Sequence, residues 1–115
     1  MKTSETWRTN HSDEAELLSL CRDVVQEIAP GATVILDGSH ARGSAGPESD
    51  YDLLVLVDDP LNQQLEDRIG DRLYALELES GMVLSLLVYE KHTWETPLCK
   101  AMPLHRSVEQ EGILL

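Results

Sequence analysis

The chain has 115 residues, which is enough for one domain with an ordinary hydrophobic core and too few for separate catalytic and nucleic-acid-binding modules. Its 21 acidic residues outnumber 9 lysines and arginines and give a formal net charge of −12. Because no cluster of basic residues is available to attract a polyanion, the composition argues against nucleic acid as a substrate. The acidic charge suits a small nucleotide that arrives with its metal ion and a basic protein or cationic small molecule as acceptor or partner, and solubility alone explains it equally well.

The N-terminal part of the chain predicts a leader followed by a helix. Residues 1–11 are polar and predict a flexible leader, and residues 12–115 are predicted to form a single domain. Ser12 can cap a helix that ends at Pro30-Gly31. The apolar positions of this helix recur at helical spacing; they are Ala15, Leu17, Leu18, Cys21, Val24, Val25 and Ile28.

The sequence also bears on the location of the protein. No apolar run approaches the roughly 18 residues that a membrane-spanning helix needs, and no signal peptide is recognisable. Cys21 and Cys99 show neither a metal-binding nor a redox spacing, which predicts reduced thiols. We therefore expect a cytoplasmic protein that does not contact a membrane.

A short predicted strand leads into a turn suited to binding phosphate. The β-branched and apolar residues within 32–37 predict a buried strand, and Gly38-Ser39 predicts a sharp turn after it. Glycine allows backbone N–H groups to approach an anion, and the Ser39 hydroxyl can donate to a phosphate oxygen. Arg42 adds a planar guanidinium that suits phosphate, whereas His40 is expected to be an exposed loop residue.

Two aspartates stand at the start of the next predicted strand. A loop of small and polar residues follows the turn, and Asp50 and Asp52 then lead into the apolar run 53–57. Residues at i and i+2 of a strand point to the same face, so both carboxylates can bind one metal cluster, while Tyr51 faces the other way. Mg²⁺ prefers oxygen ligands, and two metals held roughly 3.5–4 Å apart can clamp an in-line displacement. The pattern predicts phosphoryl or nucleotidyl transfer.

The remaining pattern predicts a small α+β domain. Apolar residues at helical spacing predict a helix from Leu61 to Glu79, with Ser80-Gly81 as its end. A strand over 82–89 follows, and further short helices are predicted from Thr93 and Pro103. This order predicts a mixed sheet of three to four strands with helices packed mainly on one face.

The turn and the aspartate pair together resemble a known family. Gly38-Ser39, ten intervening residues and Asp50-x-Asp52 are similar to the signature of the DNA polymerase beta-like nucleotidyltransferases, and especially to the minimal nucleotidyltransferases of prokaryotes. The resemblance covers about residues 12–115. The segments that match the minimal subgroup are Ala41-Arg42-Gly43, Ser49-Asp50-Tyr51-Asp52-Leu53, Trp94, Pro97-Leu98 and Glu111-Gly112-Ile113.

The resemblance implies a fold, a site and a partner. It implies a nucleotidyltransferase fold in which Asp50 and Asp52 are the catalytic, metal-binding pair for Mg²⁺. ATP or another nucleoside triphosphate would be bound by the residues of the turn and loop, which are Gly38, Ser39, Arg42 and Ser49. Minimal nucleotidyltransferases are commonly encoded beside a HEPN-domain protein, with the two acting as antitoxin and toxin. In some pairs AMP is transferred to the toxin.

One position departs from the family pattern and leaves two alternatives open. Complete family members carry a third carboxylate on the following strand, where this chain has Ser85. Water or another carboxylate could substitute for it, the candidates being Glu77, Glu79, Glu90 and Asp37. Alternatively, the chain is a catalytically weak or inactive module that neutralises its partner by binding. The sequence leaves open whether it forms a homo-oligomer.

Overall fold

The structure is a computed structural model that describes residues 1–3, 5, 12–46, 49–58 and 60–115. Most of the predicted leader lies outside the described residues. The backbone of Ser12 and Asp13 is described but their side chains are not, so the predicted helix cap at Ser12 also lies outside them.

The described strands form one mixed sheet with the order β1-β5-β2-β3-β4. β2 is antiparallel to both of its neighbours, β3 and β5, whereas β3 is parallel to β4 and β1 is parallel to β5. The strands are β1 (Lys2–Thr3), β2 (Thr33–Asp37), β3 (Tyr51–Val57), β4 (Leu84–Glu90) and β5 (Ile113–Leu114). The helices are α1 (Ser12–Ile28), α2 (Gly38–Arg42), α3 (Gln63–Ser80), α4 (Lys91–Trp94), α5 (Pro97–Lys100) and α6 (Pro103–Glu111).

Two layers of helices enclose the central strands. The long helices α1 and α3 pack on one face of the sheet, because alternate residues of β3 such as Leu53 and Val55 present their side chains to them. Leu54 and Leu56 point to the opposite face, where they pack with Trp94 of α4 and Val108 of α6. β3 is therefore buried on both faces, which explains its unbroken apolar run.

The predicted α+β class and the mixed sheet are confirmed, with some differences in the elements. The sheet has five described strands, because Lys2–Thr3 and Ile113–Leu114 add β1 and β5 to the predicted three to four. Two-residue strands carry no periodicity of their own, so only pairing defines them. β4 starts at Leu84 rather than at 82, and α4 starts at Lys91 rather than at Thr93. None of the described helices combines the length and the apolar character that a membrane-spanning segment requires.

Candidate active site

The turn predicted to bind phosphate lies at the end of β2. Gly38 begins α2 directly after Asp37, with φ at +78°. A Cβ atom added at Gly38 would overlap Asp52 Oδ2 and would lie 3.1 Å from its Cγ. Only a glycine allows the backbone to approach the Asp52 carboxylate this closely. The predicted phosphate-binding turn is thus in direct contact with Asp52 of the predicted metal-binding pair.

Cross-strand register brings a further carboxylate to this point. Asp37 is directly opposite Asp52 in the antiparallel β2–β3 pair, and Asp52 is directly opposite Ser85 in the parallel β3–β4 pair. Directly opposed residues project to the same face of a sheet, so these three side chains form a row across β2, β3 and β4. Asp50 precedes β3 by one residue and is exposed at the same end.

The row opens into a recess on the face covered by α4 and α6. The recess has a volume of about 120 Å³. Its lining residues are Asp37, Asp52, Leu53, Leu54, Ser85, Leu87 and Leu104. Ser85 is exposed there and does not belong to the core. The arrangement places two carboxylates and a hydroxyl at one end of a largely apolar recess.

The surroundings of Asp52 shift its pKa. Burial raises the pKa of the Asp52 carboxyl above its ordinary value, and the like charges of Asp50 and Asp37 raise it further. The cationic forms of His40 and Arg42 oppose this by lowering the same pKa. A carboxylate cluster in which ionisation is disfavoured gains from a bound cation, which would reverse the repulsion.

Asp37 is the most enclosed member of the cluster. Its side chain is 8% exposed, and the Ser107 hydroxyl of α6 donates to its two oxygens at 3.2 and 3.3 Å. No Lys, Arg or His nitrogen of the described chain lies within 4.0 Å of its carboxylate. The sequence did not predict a role for Ser107, because Ser107 and Asp37 are 70 positions apart in the chain.

Of the four carboxylates considered as substitutes at the Ser85 position, the structure brings only Asp37 into the row. Glu77 and Glu79 are on α3, which covers the opposite face, and Glu77 Oε1 accepts a hydrogen bond from the Leu84 backbone N–H at 3.1 Å. Glu90 ends β4, five positions beyond Ser85, or about 16 Å along the strand.

His40 holds the turn and the loop together. Its ring stacks on Tyr51 with centroids 3.7 Å apart, and its Nε2 donates to the Ser49 carbonyl oxygen at 2.9 Å. His40 is buried, so the expectation of an exposed loop residue is wrong: the ring is enclosed because it stacks on Tyr51 of β3 and bonds to Ser49 of the preceding loop. Tyr51 faces away from the aspartates, as predicted. Burial, together with the nearby Glu14 carboxylate, raises the pKa of Tyr51 to about 12.

The other predicted nucleotide ligands lie around the same end of the sheet. Ser39 is half-buried in the first turn of α2. Ser49 is half-buried, and its hydroxyl oxygen accepts a hydrogen bond from the Gly46 N–H at 3.0 Å. Arg42 is exposed and forms an ion pair with Glu111 at 3.3 Å, so it would have to exchange this partner for a phosphate.

The donor set fits a divalent cation that enters with a nucleotide. Among the described residues, no group of three or more His, Cys, Asp or Glu side chains forms a ready-made metal centre. Mg²⁺ does not require one, because it is bound by one or two carboxylates together with substrate phosphates and water. Asp50 and Asp52 supply such carboxylates, and the Gly38 backbone beside them leaves the space that a side chain would fill.

This fold, with a glycine turn packed against a carboxylate pair, is that of a nucleotidyltransferase-type domain. Residues 18–114 match the family described as the nucleotidyltransferase domain. Since the match spans most of its length, the chain belongs to the nucleotidyltransferase domain family.

Individual relatives agree with this assignment. The probable protein adenylyltransferase MntA of Haemophilus influenzae is 32% identical over 58 residues, which make up 50% of this chain and 51% of MntA. The chain thus spans about half the length of the curated relative it matches. The predicted resemblance to minimal nucleotidyltransferases is confirmed.

Two solved structures share the fold. A toxin-antitoxin crystal structure with AMP-PNP superposes with a TM-score of 0.53 at 22% identity, covering 80% of this chain and 66% of that one. A mutant of the toxin-antitoxin MntA-HpeT superposes with a TM-score of 0.50 at 22% identity, covering 88% and 70%. At this identity the likeness bears on the fold alone.

Proposed function

We propose that the chain is a Mg²⁺-dependent nucleotidyltransferase that transfers AMP from ATP to a hydroxyl of a partner protein, and that it acts as the antitoxin of a HEPN-type toxin. The observation that carries this proposal is the contact between Gly38 and Asp52, which supports a single site formed by the turn and the carboxylate pair. Family membership supplies the reaction class. AMP and a protein acceptor are proposed from MntA, a probable protein adenylyltransferase.

In this proposal the chain contributes binding and orientation. The Gly38-Ser39 turn holds the triphosphate through backbone N–H groups and the Ser39 hydroxyl. Asp50 and Asp52 hold Mg²⁺, which when bound neutralises phosphate charge and favours an ionised acceptor hydroxyl. The acceptor oxygen, its proton lost to solvent, bonds to the α-phosphorus as the bond to the leaving pyrophosphate breaks. Arg42 exchanges Glu111 for a phosphate oxygen.

Charge supports a protein partner over a nucleic acid. Five lysines and arginines each lie within 4.0 Å of a carboxylate; they are Arg22, Arg42, Arg72, Lys91 and Lys100. This local neutralisation leaves the excess of acidic residues to dominate the field of the domain, which suits a basic partner. We place the pair in the cytoplasm, since Cys21 and Cys99 are both free and buried.

The test is transfer of label from ATP to the protein encoded by the adjacent reading frame. With ATP labelled at the α-phosphorus and Mg²⁺ present, we expect label to stay on the partner, whereas label at the γ-phosphorus should not. Asp52→Asn should reduce transfer by at least about 10²-fold, since a single electrostatic donor is worth that much in other transfer enzymes. Undiminished transfer by Asp52→Asn would contradict the proposal.

A second function is favoured by one observation. Ser85 stands beside Asp52 where complete family members have a carboxylate, and a serine supplies neither charge nor basicity. A chain that binds its partner without modifying it would tolerate this change. Co-elution of the two proteins with no retained label, and equal neutralisation of the toxin by the Asp52→Asn variant, would identify this alternative.

A further inference from the structure

We propose that Asp37 supplies the third metal-binding carboxylate of the site, from β2 on one side of Asp52, in place of the position on β4 occupied by Ser85. This assignment rests on the proposed function and specifies how its metal is held. Asp52 is the middle member of the row, with Asp37 and Ser85 as its direct neighbours on either side. A carboxylate can therefore adjoin Asp52 from either strand without any change in the backbone.

The surroundings of Asp37 point to a cation. Asp37 is more than nine-tenths buried, and among the described residues its carboxylate accepts hydrogen bonds only from the neutral Ser107 hydroxyl. Within the described part of the chain its carboxylate has no cationic neighbour inside 4.0 Å. Buried carboxylates in folded proteins are ordinarily paired with a cation or bound to a metal. Asp37 lines the same recess as Asp52, so both carboxylates face the space that an entering ion would occupy.

Ser107 has a matching role as a positioning residue. Its hydroxyl shares its one proton between the two Asp37 oxygens, at 3.2 and 3.3 Å, and so holds the carboxylate from the side of α6. Metal-binding carboxylates are typically oriented by such outer hydrogen bonds. Each oxygen keeps lone pairs for a further ligand, because an ionised carboxylate offers about four acceptor sites.

The test measures the binding of Mn²⁺, a probe for Mg²⁺, to the whole chain in the presence of AMP-PNP. Calorimetry gives the heat of binding, and electron paramagnetic resonance gives the concentration of free Mn²⁺. We expect Asp37→Asn to weaken Mn²⁺ binding at least about tenfold, since removing a group that only orients a ligand already costs about 10–100-fold. Asp71→Asn is the matched control: it removes the same charge from an exposed position of α3. It should bind like the wild type.

A carboxylate swap separates a ligand from a merely structural residue. Adding Ser85→Asp to Asp37→Asn restores a carboxylate beside Asp52 from the other strand and should return Mn²⁺ affinity to within about threefold of the wild type. In the wild-type background Ser85→Asp should change affinity less than threefold, because the carboxylate set is already complete. This second variant keeps the test valid if Asp37→Asn does not fold.

The outcomes distinguish this inference from the proposed function. If the wild type binds Mn²⁺ and Asp52→Asn abolishes binding, but Asp37→Asn binds as well as Asp71→Asn, Asp37 is not a ligand and the nucleotidyltransferase site stands without it. A gain of tenfold or more from Ser85→Asp alone would overturn the assignment equally. If the wild type binds no Mn²⁺ with AMP-PNP, the proposed function and this assignment are both wrong.

Discussion

Replacing Gly38 with alanine should destabilise the fold through two separable effects. The residue has φ at +78°, and an L-residue in this region costs about 1–2 kcal/mol. The new Cβ would also overlap Asp52 Oδ2, and overpacking of this kind adds about 1–3 kcal/mol. We therefore expect Gly38→Ala to lower the free energy of unfolding by about 2–5 kcal/mol in total.

The chain offers a matched control at the other end of the same short helix. Gly43 has φ at +79°, but nothing lies within 4 Å of a Cβ added there. Gly43→Ala should therefore cost only the backbone part, about 1–2 kcal/mol. The loss of unfolded-state entropy on replacing glycine by alanine is common to both variants and cancels in the comparison.

Urea unfolding followed by circular dichroism measures both variants. With an m-value of about 1–3 kcal/mol/M, the extra cost at Gly38 should lower the midpoint by roughly 1 M relative to Gly43→Ala. Asp52→Ala removes the Asp52 carboxylate, so in that background most of the extra cost should disappear. Equal losses for Gly38→Ala and Gly43→Ala would refute the close approach of the turn to Asp52.

Three further experiments test the site and the core. Asp52 has a folded-state pKa above its ordinary value, so the folded state binds the proton more tightly than the unfolded state does. The wild type should therefore lose stability as the pH rises through about 4 and above. In urea unfolding without metal, the midpoint of Asp52→Asn should rise relative to that of the wild type over this range, and a constant difference would contradict the shift. Ser107→Ala removes the hydroxyl that donates to the buried Asp37 carboxylate, which should cost about 1–3 kcal/mol by thermal or urea unfolding. Ile69 of α3 is 0% exposed, so Ile69→Ala should lower the free energy of unfolding by about 2–5 kcal/mol. Leu78 of the same helix is 70% exposed, so Leu78→Ala should change it by no more than about 0.5 kcal/mol. Similar losses for the two variants would contradict the packing of α3.

The sequence by itself determined the local features of this protein. Strand alternation was sufficient to place Tyr51 in the core and away from the aspartates, because side-chain direction follows the two-residue period of a strand. Apolar residues at helical spacing were sufficient for α1 and α3, since their buried stripes extend over several turns. The Gly-Ser and Asp-x-Asp motifs indicated the family without any knowledge of pairing.

Only the tertiary structure decided which distant residues meet. Nothing local in the sequence distinguishes Asp37 from Glu77 or Glu90 as the neighbour of Asp52, because that choice depends on cross-strand register. The contact between Ser107 and Asp37 and the two-residue strands β1 and β5 likewise exist only through pairing of segments far apart in the chain. A local pattern fixes the direction of a side chain, but its partner is fixed by how the elements pack, and packing is a property of the whole chain.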